Sequence, residues 1–192
     1  MDNEIGEILK ILIENPEDSF SIRKLSLMRR INYKSAHNAI KNLEKQGLIQ
    51  VKRMGNNAQC SFSKKFNPLV FSVEFERRQD ILNDKDLKII HSRIYEARFP
   101  FIALLFGSYV KNTKAKYSDI DMLFIVPDKS QEREIMSILS LIPLKIHPTI
   151  ISYSEFISML KSKEFSVVSE AIKKNIILVG IEEYYRFLKN AQ

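Results

Sequence analysis

Two apolar runs, Phe101–Phe106 and Ile120–Val126, the second broken only by Asp121, constrain this chain more than any other feature. A run apolar at nearly every position is a strand buried in a core. Between the two lie Gly107-Ser108, about ten polar and basic residues, and Asp119, with Ile120-Asp121 opening the second run. Residues two apart on a strand share a face, so Asp119 and Asp121 project together, roughly 6–7 Å apart along the backbone. Paired carboxylates repel, and a fold that keeps them beside a turn is expected to give them a cation. Mg²⁺ suits them, being held by one or two carboxylates plus substrate phosphates.

The same segment reads as a metal-dependent phosphate site. Gly107 lets the backbone approach a ligand without interference from a Cβ. Ser108 and the amides after it can cradle phosphate oxygens, and Lys111, Lys114 and Lys116 place positive charge nearby. Strand, Gly-Ser, about ten residues and Asp-x-Asp on the next strand resembles the minimal nucleotidyltransferase family of the polymerase-beta superfamily, over roughly residues 81–192. The resemblance implies an α+β fold, with a mixed sheet flanked by helices. It implies Gly107, Ser108, Lys111 and Ser118 as nucleotide contacts. Asp119 and Asp121 become the catalytic pair that holds Mg²⁺. The implied reaction passes a nucleoside monophosphate, AMP from ATP being the expected case, to a protein or other hydroxyl acceptor.

Two departures qualify the resemblance. Asn112 stands where the family often has glycine, and Asn tolerates the left-handed conformation. Active relatives also carry a third carboxylate on a later strand. The candidate strand, Leu144–Ile151, has no acid. Its alternation sets His147 and Thr149 on one face, with Thr149 at the position of the missing acid. A catalytic reading and one in which a degenerate domain senses nucleotide for a transcription regulator both stay open, as does a purely structural adaptor.

Charge is segregated along the chain. The sequence has 192 residues and a net charge of +7. Residues 19–65 hold eleven Lys or Arg against Glu44 alone, a net +10, which leaves −3 for the rest. Such concentration points to a polyanion partner. The pattern there is helix over 3–14, a second helix capped by Ser21 with Ile22, Leu25 and Met28 inward, and a third over 34–46 with Ala36, Ala39, Ile40 and Leu43 inward. A basic hairpin follows over 48–62, turning at Met54-Gly55-Asn56-Asn57. Three helices and a hairpin resemble a winged helix-turn-helix domain over 1–67, which implies DNA binding by Lys34, Ser35, His37, Asn38 and Lys41 on the third helix. Tyr33 and Asn42 flank that set, and Lys52, Arg53, Asn56 and Asn57 come from the wing. A homodimer matching two half-sites is the expected assembly.

Asn67-Pro68 marks the expected domain boundary. Linking helices over 68–98 follow, the second capped by Asp84 with Leu87, Ile90, Ile94 and Tyr95 inward, and the nucleotidyltransferase domain takes 99–192. Helices are expected near 131–141, over 155–161 behind a Ser154 cap, and over 165–174 and 182–189, with a strand over 176–179. No apolar run approaches the 18 or so residues of a membrane span, and the acidic N-terminus lacks a signal-peptide layout. With the single cysteine, Cys60, these features give a cytoplasmic expectation and no membrane partner.

Overall fold

The structure is a computed structural model, and it describes residues 3–55, 57–110, 119–162 and 167–191. The chain divides into two compact units, Met1–Val73 and Glu74–Gln192.

The first unit is built from α1 (Asn3–Glu14), β1 (Ser19–Ser21), α2 (Ile22–Met28), α3 (Tyr33–Lys45), β2 (Ile49–Met54) and β3 (Asn57–Phe62). Helical spacing buries Ile8, Leu9, Leu12 and Ile13 of α1 against Leu25 of α2 and Ala36, Ala39, Ile40 and Leu43 of α3. Asn32 caps α3 through a 2.9 Å bond accepted from the Ser35 amide, and so starts that helix one residue before the expected Lys34. The strands form an antiparallel sheet in the order β1-β3-β2. Strand β1 was not anticipated: its three residues are too few to show alternation, yet Phe20 is buried and pairs with Cys60. Met28 is exposed, contrary to expectation. It closes a seven-residue helix, and Ser26 takes an inward position instead.

Helix α4 (Pro68–Ile81) follows, then α5 (Lys85–Ile94), capped as expected by Asp84 accepting from the Asp86 and Leu87 amides. Leu87, Ile90 and Ile94 are buried in the core of the second unit. Tyr95, expected in that stripe, is exposed because it sits at the C-cap, one residue beyond the helix.

The sheet of the second unit comprises β4 (Ile102–Leu105), β5 (Ile120–Val126), β6 (Ile146–Ser152) and β7 (Ile176–Val179), in the order β6-β5-β4-β7. Pairing is antiparallel except for β5 with β6, which is parallel, so the sheet is mixed as expected. Its crossover from β5 to β6, residues 127–145, carries α6 (Glu132–Ser140), the kind of connection a parallel pair requires. One face of the sheet, with Ala103, Leu105, Met122 and Phe124, packs against α5 and α6 through Ile90, Ile94, Ile135 and Leu139. On the other face α7 (Tyr153–Lys161) lies against β5 and β6, and α9 (Ile181–Asn190) lies against β4. Rings of Phe156, Tyr184 and Phe187 join those two helices. Helix α8 (Val167–Lys173) connects α7 to β7.

The cap of α7 is Ser152, not the expected Ser154. Ser152 accepts from the Glu155 amide at 3.2 Å while the Glu155 carboxylate takes the Ser152 amide at 2.9 Å, a complete capping box. Ser154 only shares a hydroxyl contact with Ser152. Ser152→Ala is expected to lower the stability of this unit by about 1 kcal/mol, read as a shifted urea midpoint at unchanged slope, whereas Ser154→Ala leaves the midpoint in place. Lys129 and the Ser152 amide hold the Glu155 carboxyl down to about 2. The contribution of this box is therefore kept above the ordinary carboxylate range and lost as pH falls through that value. Among the described residues no helix is long and apolar enough to cross a membrane.

Candidate functional site

The site forms where β4 ends and β5 begins. Phe106 is buried and donates its amide to the Asp121 carbonyl at 3.1 Å, which fixes the two strand ends together. The chain then bends through a short 3₁₀ turn, Gly107–Tyr109, and Val110 plugs back into the core. Gly107 has φ +72°, in the left-handed region that favours glycine. Space excludes a side chain there as well. A Cβ on Gly107 would lie 2.2 Å from Oδ2 of Asp121. The Asp121 carboxylate is thus seated directly on the glycine backbone, a contact that no other residue at 107 permits.

Gly107→Ala is accordingly expected to displace the Asp121 carboxylate. The nucleotide binding expected from the motif should then be lost, measured by equilibrium titration, while the circular dichroism of the sheet and helices is kept. Binding equal to that of the unmodified protein would show that the contact has no functional weight.

Parallel pairing adds groups that the spacing of the motif does not reveal. β6 sets His147 opposite Asp121 and Thr149 opposite Leu123, so both share the face of the aspartate. Nδ1 of His147 stands 3.4 Å from Oδ1 of Asp121, longer than a good hydrogen bond. Just before β6, Lys145 accepts the Ile120 amide on its carbonyl and places Nζ 2.7 Å from Oδ1 of Asp119. The Lys145 side chain is 81% exposed, so this ion pair is screened and weakly held. Asp119 is not shut inside by it. Sequence reasoning missed Lys145 because its position depends on the register between β5 and β6.

The remaining residues named from the sequence fall as follows. Ser108 is half-buried in the 3₁₀ turn, one residue after the glycine. Lys111 and Ser118 lie outside the described residues, as do Asn112, Lys114 and Lys116. In the first unit Lys34, Asn38 and Lys41 are exposed along α3, with Ser35 and His37 half-exposed, and His37 stacks on Tyr33. Lys52 and Arg53 are exposed on β2, Arg53 reaching Glu44 at 3.7 Å, and Asn56 lies outside the described residues.

The donor set can be tested against Mg²⁺. Among the described residues no group of three or more His, Cys, Asp or Glu is arranged to hold a metal. The described residues therefore form no such cage by themselves. Two carboxylates at the mouth of a sheet do fit an ion whose remaining ligands are phosphate oxygens. β6 offers no third carboxylate: Thr149 stands on the face where one would be useful.

A search of curated proteins finds no match for the chain. A family model does match, and it begins within α5, spans all four strands of the mixed sheet and ends with β7. Residues 91–179, which include the Gly107 turn, Asp119 and Asp121, match the model of the nucleotidyltransferase domain, and this segment is similar to domains that carry out nucleotidyl transfer.

Proposed function

We propose that the second unit is a Mg²⁺-dependent nucleotidyltransferase that passes AMP from ATP to a hydroxyl acceptor, a protein side chain being the favoured class. The observation that carries this reading is the seat of the Asp121 carboxylate on Gly107. It presents a fixed negative charge beside a turn whose amides and Ser108 hydroxyl would meet phosphate oxygens. Asp119 and Asp121 would hold Mg²⁺, which when bound neutralises phosphate charge and polarises the phosphoryl oxygens. Lys111 and Ser118 belong to the same proposal as further nucleotide contacts. In the transfer the acceptor hydroxyl gives up its proton to solvent, its oxygen forms a bond to the α-phosphorus, the bond from that phosphorus to the bridging β-phosphate oxygen breaks, and pyrophosphate leaves.

The test is incubation with labelled nucleoside triphosphates, Mg²⁺ and a cell lysate, followed by identification of the labelled species. A nucleotide on a macromolecule and a matching release of pyrophosphate support the proposal. No transfer with any of the four nucleotides, at saturating binding, overturns it.

The first unit is, in this proposal, a winged helix-turn-helix domain. Lys34, Ser35, His37, Asn38 and Lys41 of α3 meet DNA, and Lys52 and Arg53 flank it from the hairpin. Supporting this are the net +10 of residues 19–65, the exposed α3 stripe and the β1-β3-β2 sheet. Binding as a homodimer in the cytoplasm completes it.

Thr149 in place of an acid favours a second reading. Without a carboxylate on β6, the proton of an attacking hydroxyl lacks its usual acceptor. The domain then binds nucleotide without turnover and tunes DNA affinity. ATP-dependent change in DNA binding with no pyrophosphate distinguishes it.

A further inference from the structure

The sequence drew its DNA contacts from α3 and the hairpin, but the first unit also has a concavity that only Tyr33 and Asn57 of that set reach and that α2 otherwise lines. An open groove of about 730 Å³ lies between α2, the start of α3 and the start of β3. Its rim and floor include Ser21, Arg23, Ser26, Leu27, Tyr33 and Asn57. The pairing of β1 with β3, Ser21 opposite Gln59, is what draws the Asn57 end of the hairpin towards α2. The volume lies in the range of roughly 300–1,000 Å³ that accommodates a small-molecule-sized fragment.

Chemistry narrows the occupant. Among the described residues no Asp or Glu lines the groove, and it lies in the segment of net +10. Arg23 is exposed and has no ion-pair partner among the described residues, unlike Arg29 and Arg53 of the same unit, which reach Glu7 and Glu44. Its planar guanidinium suits the bidentate geometry of a phosphate. Tyr33 is 57% exposed and Leu27 69%, so the wall beside that cation is apolar and aromatic. Ser21 and Asn57 add hydroxyl and amide groups. A charged fork, an aromatic wall and short polar side chains complement a sugar-phosphate chain, whose phosphates and ribose faces alternate. Tyr33 also opens α3, so a strand lying in the groove runs directly onto the exposed stripe of Lys34, Asn38 and Lys41.

We propose that this groove seats one sugar-phosphate strand of the DNA, with Arg23 on a phosphate and Tyr33 against the adjoining sugar. The proposal rests on the DNA-binding reading of the first unit. It adds a site that fixes the register of the duplex on α3 without reading bases.

The experiment titrates the full chain with a labelled mixed-sequence duplex over a series of salt concentrations, comparing the unmodified protein with Arg23→Ala, Tyr33→Ala and, as a control, Lys88→Ala on α5. Arg23→Ala leaves the local fold intact, because the 2.8 Å bond of Ser26 goes to the backbone carbonyl of residue 23. Thermal melts of each variant confirm this. Arg23→Ala is expected to weaken binding several-fold on every sequence and to reduce the slope of log affinity against log salt by about 0.9, the value for one lost phosphate contact. Tyr33→Ala weakens binding with the slope unchanged, and Lys88→Ala changes neither. Unmodified protein that binds duplex while Arg23→Ala keeps its affinity and slope overturns the groove alone. Unmodified protein with no salt-sensitive duplex binding overturns the DNA-binding reading and the groove with it.

Discussion

Asp121→Asn is expected to lose Mg²⁺-dependent incorporation of labelled nucleotide by about 100-fold or more, the scale on which removal of one preorganised charge-stabilising group is felt. The substitution conserves shape. Asn fits over Gly107 as Asp does, and the side chain at 121 is 29% exposed at the sheet mouth, so the fold has little reason to change. What changes is charge and ligand hardness: a neutral amide is a poorer partner for a hard divalent ion than a carboxylate. The measurement is the rate of label transfer alongside a thermal melt. A lower rate with an unchanged melting temperature assigns Asp121 to the chemistry. Equal labelling by the variant would falsify the assignment of this motif as the transfer site. Asp119→Asn is expected to follow in the same direction but less steeply, since Asp119 is more exposed and shares its oxygen with Lys145.

That contrast between the two aspartates shows where the sequence was informative. Gly107 and Asp121 were legible together because each carries a local signal, a turn residue after one apolar run and an acid at the head of the next. Their contact needs only that β4 and β5 pair as neighbours, which runs so apolar and so close in sequence favour. Lys145 and His147 were harder. They reach the aspartates through the parallel pairing of β5 with β6, whose register is set by the packing of the α6 crossover and not by any nearby turn. The cap of α7 lay in plain view. Ser152-Tyr153-Ser154-Glu155 is a Ser-x-x-Glu capping box, and the glutamate three residues on selects Ser152 over Ser154. A helical period carried to the last residue of α2 sets Met28 inward, and one carried a residue beyond α5 sets Tyr95 inward, yet both ends are exposed. The groove beside Arg23 could not be read from spacing, because it depends on a three-residue strand bringing β3 to α2.

The largest effect on stability is expected away from the site, at Arg77. This side chain is 5% exposed and Glu74, one helical turn before it, is 2% exposed. Arg77 donates from Nη1 to Glu74 at 2.5 Å and from Nη2 to the Asn175 carbonyl at 2.7 Å. The Tyr185 hydroxyl donates to the other Glu74 oxygen at 2.7 Å, and the Asn175 amide donates to the Ala171 carbonyl at 2.6 Å. Burial, followed by the neighbouring Glu74 charge, raises the Tyr185 hydroxyl well above the ordinary tyrosine range, so it remains a donor. The network thereby joins the second half of α4 to the end of α8 and to α9. A buried ion pair gains little over a well-packed apolar pair, but removing one partner strands the other charge in a medium that cannot solvate it. Arg77→Ala is therefore expected to destabilise the second unit by about 3–5 kcal/mol, a large share of the roughly 5–15 kcal/mol that holds a domain folded. Arg77→Met combined with Glu74→Leu removes both charges while filling the space, and should lose less than Arg77→Ala alone. Urea unfolding of the two variants decides the matter. A double substitution that costs as much as or more than the single one would mean that the network is held by its hydrogen bonds to Asn175 and Tyr185 and not by charge pairing.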